Sequence, residues 1–571
     1  MDCAYKVNNQ QEFVHQSNNR SGLAPTPKFG SMSGVRPCRD KVSRVTGKGR
    51  RPNVLLITCD QWRGDCLSVA GHPVVKTPNA DALAAEAVLF RRHYGGAAPC
   101  SPARACLYTG LYQMNNRVCR NGTPLDARHG NIALHARSLG YDPTLFGYTD
   151  VSLDPRLLAP GDPRLQSYEG VLPGFTVRQL LPEHQKQWLS WLKQRGIDAS
   201  AGSPDIHRPV HDGGKADARV SSAPPVYSRD ETPAAFLTGE FSRWLGEQEQ
   251  DAPWFAHLSF ISPHPPFIVP EPYNTLYDPA DGPAFRRAAS WQAEAESHPY
   301  LAYDLSLQKR TKFRPGVAGK VHDWSDDDFR RIRAIYYGMI SEMDAQLGRI
   351  WQAVKAAGAW EDTIIVLTSD HAEMMGDHFM LGKGGYFDGS YHIPLIVRDP
   401  RRGNTAGASI DRFTEAVDIV PTLLDLLGED PAPHLDGHSL KPFIEGEKPE
   451  GWRDAAHWEF DFRSIADGEA ERHFGIASRQ CNLAVVRTEK FKYVHFGGGL
   501  PPLLFDLERD AGELNNLAAD PAHLVVRLEF AERLLAWRAE HLDQSLALAE
   551  LTEHGVAGYV SKAIGTWAVG S

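Results

Sequence analysis

Two short apolar runs, each ending on an aspartate, constrain this chain more than any other feature. Asn53-Val54-Leu55-Leu56-Ile57-Thr58 leads into Cys59-Asp60-Gln61, and Thr363-Ile364-Ile365-Val366-Leu367-Thr368 leads into Ser369-Asp370-His371. Runs of this length and character read as buried strands. Both carboxylates then lie just past the carboxyl end of a strand, the edge at which open α/β sheets bind ligands. An aspartate in that position is commonly only a helix N-cap. Two of them with one imidazole form a hard donor set suited to Ca²⁺, Mg²⁺ or Mn²⁺, and Mn²⁺ tolerates the nitrogen best.

The second informative stretch is Cys100-Ser101-Pro102-Ala103-Arg104-Ala105-Cys106-Leu107-Tyr108-Thr109-Gly110. Its Cys-x-Pro-x-Arg pattern, with Thr-Gly at fixed spacing, resembles the signature of the type I sulfatases. In that family the cysteine is oxidised to Cα-formylglycine. Tyr108 stands where leucine is usual, a position expected to pack. Asp370-His371-Ala372-Glu373, Gly376-Asp377-His378 and Lys383 are similar to the Asp-His-Gly-Glu, Gly-x-His and Lys blocks of the same superfamily. A lysine there neutralises charge developing on the reacting oxygens. Pro263-His264-Pro265 holds a histidine in a restricted loop, a position suited to donating a proton to a leaving group. Asn121 and Tyr148 follow Cys100 in polar loops that would otherwise be read as turns.

Further blocks run collinearly from about residue 52 to about residue 545. They include Asp60-Gln61-Trp62-Arg63, Gly147-Tyr148-Thr149 and His457-Trp458-Glu459-Phe460-Asp461-Phe462-Arg463. They resemble the phosphonate monoester hydrolase and arylsulfatase branch of the alkaline phosphatase superfamily. The resemblance implies one divalent ion, Mn²⁺ or Ca²⁺ with Mg²⁺ as a third option, on Asp60, formylglycine from Cys100, Asp370 and His371. It implies that Arg104 holds the formylglycine, and that Gln61, Asn121, Tyr148, His264 and Lys383 contact substrate or leaving group. Asp150 replaces the threonine usual in this branch. A carboxylate facing the substrate there would disfavour doubly charged phosphate monoesters more than singly charged esters, whereas one pointing away would only cap a turn.

The activity implied is hydrolysis of sulfate monoesters, phosphonate monoesters and phosphodiesters. The alternatives are a strict arylsulfatase or choline-sulfatase-like enzyme with the same site, and a non-catalytic anion-binding protein with Cys100 unmodified. The resemblance also implies a maturation enzyme that converts Cys100, and a homodimer or homotetramer.

At 571 residues the chain can bury a large core in more than one domain. Its net charge of −10 shows no basic surplus for nucleic acid. Residues 1–51 carry ten Lys/Arg and three Asp/Glu, or +7, which leaves −17 for the rest. This basic N-terminal extension lacks apolar periodicity and an apolar h-region, so it is expected to be disordered and is not a secretory signal. No apolar run is long enough to cross a membrane. Eight cysteines show neither zinc spacing nor a disulfide framework, which fits the cytoplasm.

The expected fold is an alkaline-phosphatase-like α/β sandwich. A large mixed, mostly parallel sheet flanked by helices fills residues 52–440. A smaller C-terminal subdomain with a short antiparallel sheet covers 441–545, and an arm or tail covers 546–571. Ser325 and Asp328 should cap a helix running to about Gly358. Residues 200–235, rich in Ser, Gly, Asp and Pro, suit a loop over the site. Residues 476–486, 490–496, 503–507 and 513–517 read as strands.

Overall fold

The apolar run at Asn53 becomes a strand whose seven residues are all buried, which requires cover on both faces. The computed structural model describes residues 51–210, 220–249, 252–402, 405–544, 547–560 and 566–569. Apart from Arg51, the basic N-terminal extension lies outside them.

In chain order the first strands are β1 (Asn53–Cys59), β2 (Val88–Tyr94), β3 (Ala97–Ala98), β4 (Pro143–Gly147), β5 (Thr176–Leu180), β6 (Phe255–Phe260), β7 (Thr363–Thr368), β8 (His392–Ile393), β9 (Leu395–Arg398) and β10 (Ala408–Glu415). All except β3 form one sheet in the order β10-β2-β9-β7-β1-β6-β4-β5, with β8 also on β2. β1 lies between β6 and β7 and is parallel to both. Only the pairings of β2 with β8 and β9, and of β7 with β9, are antiparallel. The large sheet is therefore mixed and mostly parallel. Because β1 and β7 are parallel neighbours in register, Thr58 opposite Thr368, the residues that follow them emerge side by side at one edge.

The second sheet contains β11 (Ala455–Asp461), β12 (Asn482–Thr488), β13 (Phe491–Phe496) and β14 (Leu503–Asp506), joined by successive antiparallel pairings. Its fifth strand is β3, which pairs parallel to β11 through Ala97 opposite Glu459. The second sheet thus grips the two residues that lead into the Cys100 stretch. From Arg51 onward both sheets belong to one compact unit. Residues beyond 546 contribute a three-stranded meander, β15 (Ala549–Thr552), β16 (Gly555–Val560) and β17 (Thr566–Val569).

Two strand boundaries differ from the sequence reading. The strand expected from residue 476 begins at Asn482, because a 3₁₀ turn, Ser478–Gln480, occupies its expected start. Residues 513–517 form a loop. Glu513 is left-handed at φ 57°, and its carboxylate turns inward onto buried Lys492. The described part of 200–235 is anchored by specific contacts to neighbouring elements. His207 stacks on Trp188, and the Val220 amide bonds Asp328 at the start of the long helix. Residues 211–219 lie outside the described residues.

That long helix runs Asp326–Ala356, with the Ser325–Asp328 capping box in place. Its buried face carries Ile332, Tyr336, Ile340, Met343 and Leu347. It also buries Glu342, whose Oε1 accepts from Thr232 Oγ1 at 2.8 Å and Gln346 Nε2 at 3.0 Å. Burial pushes the Glu342 carboxyl up from 4.5 to about 7. A folded carboxyl that holds its proton to higher pH than the unfolded one favours folding below pH 4.5, and that advantage is lost as pH rises to 7. The loss is on the order of 3 kcal/mol. Glu342→Gln keeps both acceptor contacts, so stability measured by denaturant titration at pH 5 and pH 7 should lose most of this slope.

Candidate active site

The helix Cys100–Thr109 starts directly after β3 and ends on Gly110, which is left-handed at φ 69° and donates its N–H to the Cys106 carbonyl. All ten helix residues are buried. Cys100 therefore sits in the first turn, and Arg104, one turn on, lies on the same face.

Asp60 and Asp370 meet this helix from the ends of β1 and β7. One ligand atom each from Asp60, Cys100, Asp370 and His371 lies within 4.8 Å of the others, and all four residues are buried. Cys100 Sγ is 3.1 Å from His371 Nε2 and 3.9 Å from Asp60 Oδ1. His371 faces a carbonyl, Ala372 O, through Nδ1 at 3.2 Å, so Nδ1 carries the proton and Nε2 presents its lone pair to the cluster. Two carboxylates, one imidazole lone pair and one convertible cysteine form a donor set that fits a divalent cation.

Arg104 braces this cluster. Its Nε donates to Asp370 Oδ2 at 2.9 Å, and its Nη2 donates to Asp60 Oδ2 at 3.1 Å. The remaining donors reach Ser259 Oγ at 2.8 Å, Tyr148 Oη at 3.0 Å and Tyr108 Oη at 3.3 Å. No hydrogen bond of Arg104 reaches Cys100 among the described residues, so here it holds the carboxylates. Burial acts against the Asp60 carboxylate, but His264, His371, Arg104 and Lys383 outweigh it and hold its pKa well below the usual range. Asp370 moves up to about 6, because burial and Asp60 together exceed Arg104.

Tyr108 does more than pack. Its hydroxyl receives Arg104 and lies 2.9 Å from His257 Nε2, while His257 Nδ1 faces the Leu56 carbonyl. Tyr148 reaches Asp60 as well as Arg104. It can do so because Gly147, at φ 107°, passes close to Ser259. A Cβ at residue 147 would lie 1.9 Å from the Ser259 carbonyl oxygen.

Gln61 is left-handed at φ 71° and is pinned on both sides. Its N–H donates to Asp370 Oδ1 at 3.2 Å, and its carbonyl accepts from Tyr336 of the long helix at 2.7 Å. Its side chain joins Lys383, whose Nζ donates to Gln61 Oε1 at 2.7 Å, to buried Glu373. Glu373 was not among the candidate site residues, although it stands in the quoted Asp-His-Ala-Glu block. It also accepts from the Gly382 N–H at 2.6 Å and so positions the lysine beside it. Burial works to discharge Lys383, but Cys100, Asp60, Asp370 and Glu373 outweigh it and raise its pKa.

His264 Nδ1 faces the Pro265 carbonyl at 2.7 Å, so its proton is engaged there. Burial and Lys383 lower its pKa to about 4, leaving a neutral ring with its other nitrogen as an acceptor. Asn121 accepts the Ser101 N–H through Oδ1 at 3.0 Å. Asp150, left-handed at φ 51°, is 3% exposed. Its Oδ2 accepts from Ser101 Oγ at 3.2 Å, and its Oδ1 has no hydrogen-bond partner among the described residues. A cavity of about 480 Å³ reaches the chain neighbours of the cluster, Gln61 beside Asp60 and Pro99 beside Cys100, and is also lined by His264, Lys383 and several aromatic residues.

A buried metal-competent cluster at the carboxyl edge of a mostly parallel sheet, with a nucleophile candidate delivered by a second sheet, defines an ester hydrolase of the alkaline-phosphatase-like α/β class. The chain belongs to the sulfatase family, whose model matches residues 52–429, and a model of the N-sulphoglucosamine sulphohydrolase C-terminal region matches 376–540. The multifunctional alkaline phosphatase superfamily protein PehA of Trinickia caryophylli is 38% identical over 87% of this chain and 97% of its own length. An arylsulfatase of Clostridium perfringens is 30% identical over 82% of this chain and 90% of its own. The crystal structure of the phosphonate monoester hydrolase of Agrobacterium radiobacter matches with a TM-score of 0.86 and 64% identity, covering 89% of this chain and 99% of that one. No helix among the described residues is long and apolar enough to cross a membrane.

Proposed function

We propose that this chain hydrolyses singly charged esters, namely sulfate monoesters, phosphonate monoesters and phosphodiesters, at the Cys100 cluster. The observation that carries the reading is the convergence of Asp60, Cys100, Asp370 and His371 next to a cavity whose lining includes Gln61, Pro99 and Lys383. Similarity to both an arylsulfatase and a phosphonate monoester hydrolase supports one site acting on both ester classes.

In this reading Asp60, Asp370, His371 and the Cys100-derived side chain hold one divalent ion, Mn²⁺ or Ca²⁺ before Mg²⁺. A divalent ion held there would polarise a nonbridging oxygen of the ester, and hydrated formylglycine at residue 100 would supply a hydroxyl nucleophile. The residues of the chain do the rest. Arg104 keeps two neighbouring carboxylates in place. Lys383, held charged and aimed by Gln61 and Glu373, offsets negative charge on the transferred group or the departing oxygen. His264 is better arranged to accept a hydrogen bond than to donate a proton. Asn121 holds the helix start through the Ser101 amide.

The primary test is peptide mass spectrometry on protein from its native host. Conversion of Cys100 to formylglycine should lower the peptide mass by roughly 18 Da. An unmodified cysteine in active protein would rule the reading out. Lys383→Ala should lower kcat/KM by about 10²- to 10³-fold with little change in melting temperature. A loss below threefold would remove the lysine from this role.

A further inference from the structure

The aromatic side of the cavity contains a carboxylate that the ester chemistry does not use. The helix Pro299–Leu307 presents Tyr300, Tyr303, Asp304 and Leu307 to the cavity, and this i, i+3, i+4, i+7 spacing places all four on one face. Phe460 and Phe462, two residues apart at the end of β11, complete the wall. The Tyr300 ring lies 5.2 Å from that of Phe462 and 6.3 Å from that of Phe460. Asp304 is half-buried among these rings and makes no hydrogen bond or ion pair among the described residues. Burial pushes its carboxyl up to about 6, and Lys312 is the cation opposing that rise. Lys312 is exposed, and Lys309, Lys383 and Arg120 repel its charge.

A carboxylate withdrawn from water without an internal partner is costly unless a ligand compensates it. Aromatic faces around a carboxylate favour an organic cation, whose charge is attracted to the ring quadrupole as well as to the acid. Lys383, where the anionic ester group belongs, lines the same cavity, and the glycines that follow it approach Phe460 and Tyr300.

We propose that the leaving-group half of the cavity binds an organic cation, so that preferred substrates are zwitterionic esters whose departing alcohol carries an ammonium group. This inference rests on the ester-hydrolase reading above. It makes Asp304 a specificity-determining residue, and Tyr300, Tyr303, Phe460 and Phe462 the walls of its subsite.

The test compares charge at constant shape. The full-length, metal-loaded enzyme is assayed with the 2-(trimethylammonio)ethyl and 3,3-dimethylbutyl monoesters of sulfuric acid and of phenylphosphonic acid. Each pair differs only in nitrogen for carbon. The cationic ester should be favoured by at least about tenfold in kcat/KM in the wild type. Asp304→Asn, and separately Tyr303→Leu, should pull that ratio toward one, and raising the salt concentration should reduce it in the wild type. A wild-type ratio at or below one, while the neutral esters are turned over, would overturn the cation site and leave the ester-hydrolase reading intact. A preference that survives Asp304→Asn would overturn the role of Asp304. Failure to turn over any of the four esters would count against both readings. The wild-type ratio needs no variant to fold, so it decides the matter by itself.

Discussion

Cys100→Ser is expected to lower kcat by about 10³-fold or more, the scale seen when a covalent nucleophile is removed. It should also leave substrate-derived mass on the protein. Cys100 lies in the first turn of its helix, with Sγ close to His371 and Asp60, and belongs to none of the apolar clusters of the core. Serine fits there without opening a sizeable cavity, so stability should change by less than about 1 kcal/mol. A serine hydroxyl can attack the ester once. It lacks the second geminal hydroxyl needed to expel the bound group by re-forming a carbonyl, so the adduct should persist. Intact-mass measurement after incubation with a sulfate or phosphonate ester would record it. Rapid multiple turnover by this variant, with no accumulated adduct, would contradict the role given to Cys100.

Arg104→Ala is expected to destabilise the protein by about 3–5 kcal/mol, because it removes one member of a buried charge cluster and leaves the others uncompensated. Asp60, Asp370 and Arg104 are each at most 1% exposed, and Arg104 serves both carboxylates. Without it, two negative charges face each other across the space meant for a cation. An excess of the divalent ion should recover part of the loss, since a ligand that binds only the folded state stabilises it by mass action. Arg104→Lys restores one charge, but one ammonium cannot span Asp60, Asp370, Tyr148 and Ser259 as the guanidinium does. It should regain more stability than activity. Thermal melts with and without added Mn²⁺, beside kcat/KM for the same samples, separate the two effects. An Arg104→Ala protein that melts with the wild type would refute the bracing role.

Much of the site is readable in the sequence because its parts sit at punctuation points. Asp60 and Asp370 follow uninterrupted apolar runs, and Cys100 and Arg104 share a short signature at helical spacing. Ser325 and Asp328 mark the long helix with a capping box that forms as expected. The smaller sheet is less legible. Its fifth strand, β3, is only two alanines long and lies more than 350 residues before its partner in sequence, and no local pattern announces such a pairing. Tyr108 looks like packing because tyrosine packs well, and only the approach of Arg104 and His257 gives its hydroxyl a use. Glu373 stands in a recognised block, yet its grip on Gln61 and Gly382 depends on how the loop folds back. The strand expected at 513–517 fails because Glu513 is drawn out of extended geometry toward Lys492.

By itself the sequence determined that the strands leading to Asp60 and Asp370 are buried, where these two end, and which residue types stand at their ends, because strand length, apolar character and signature spacing are local properties. The tertiary structure alone decided who meets whom. Parallel register brings residues about 310 apart onto one edge. A glycine's close approach to Ser259 sets Tyr148 against Asp60. A helix face turned toward β11 leaves Asp304 among aromatic rings without a hydrogen-bond partner among the described residues. These are consequences of packing between distant segments, and distance along the chain carries no record of them.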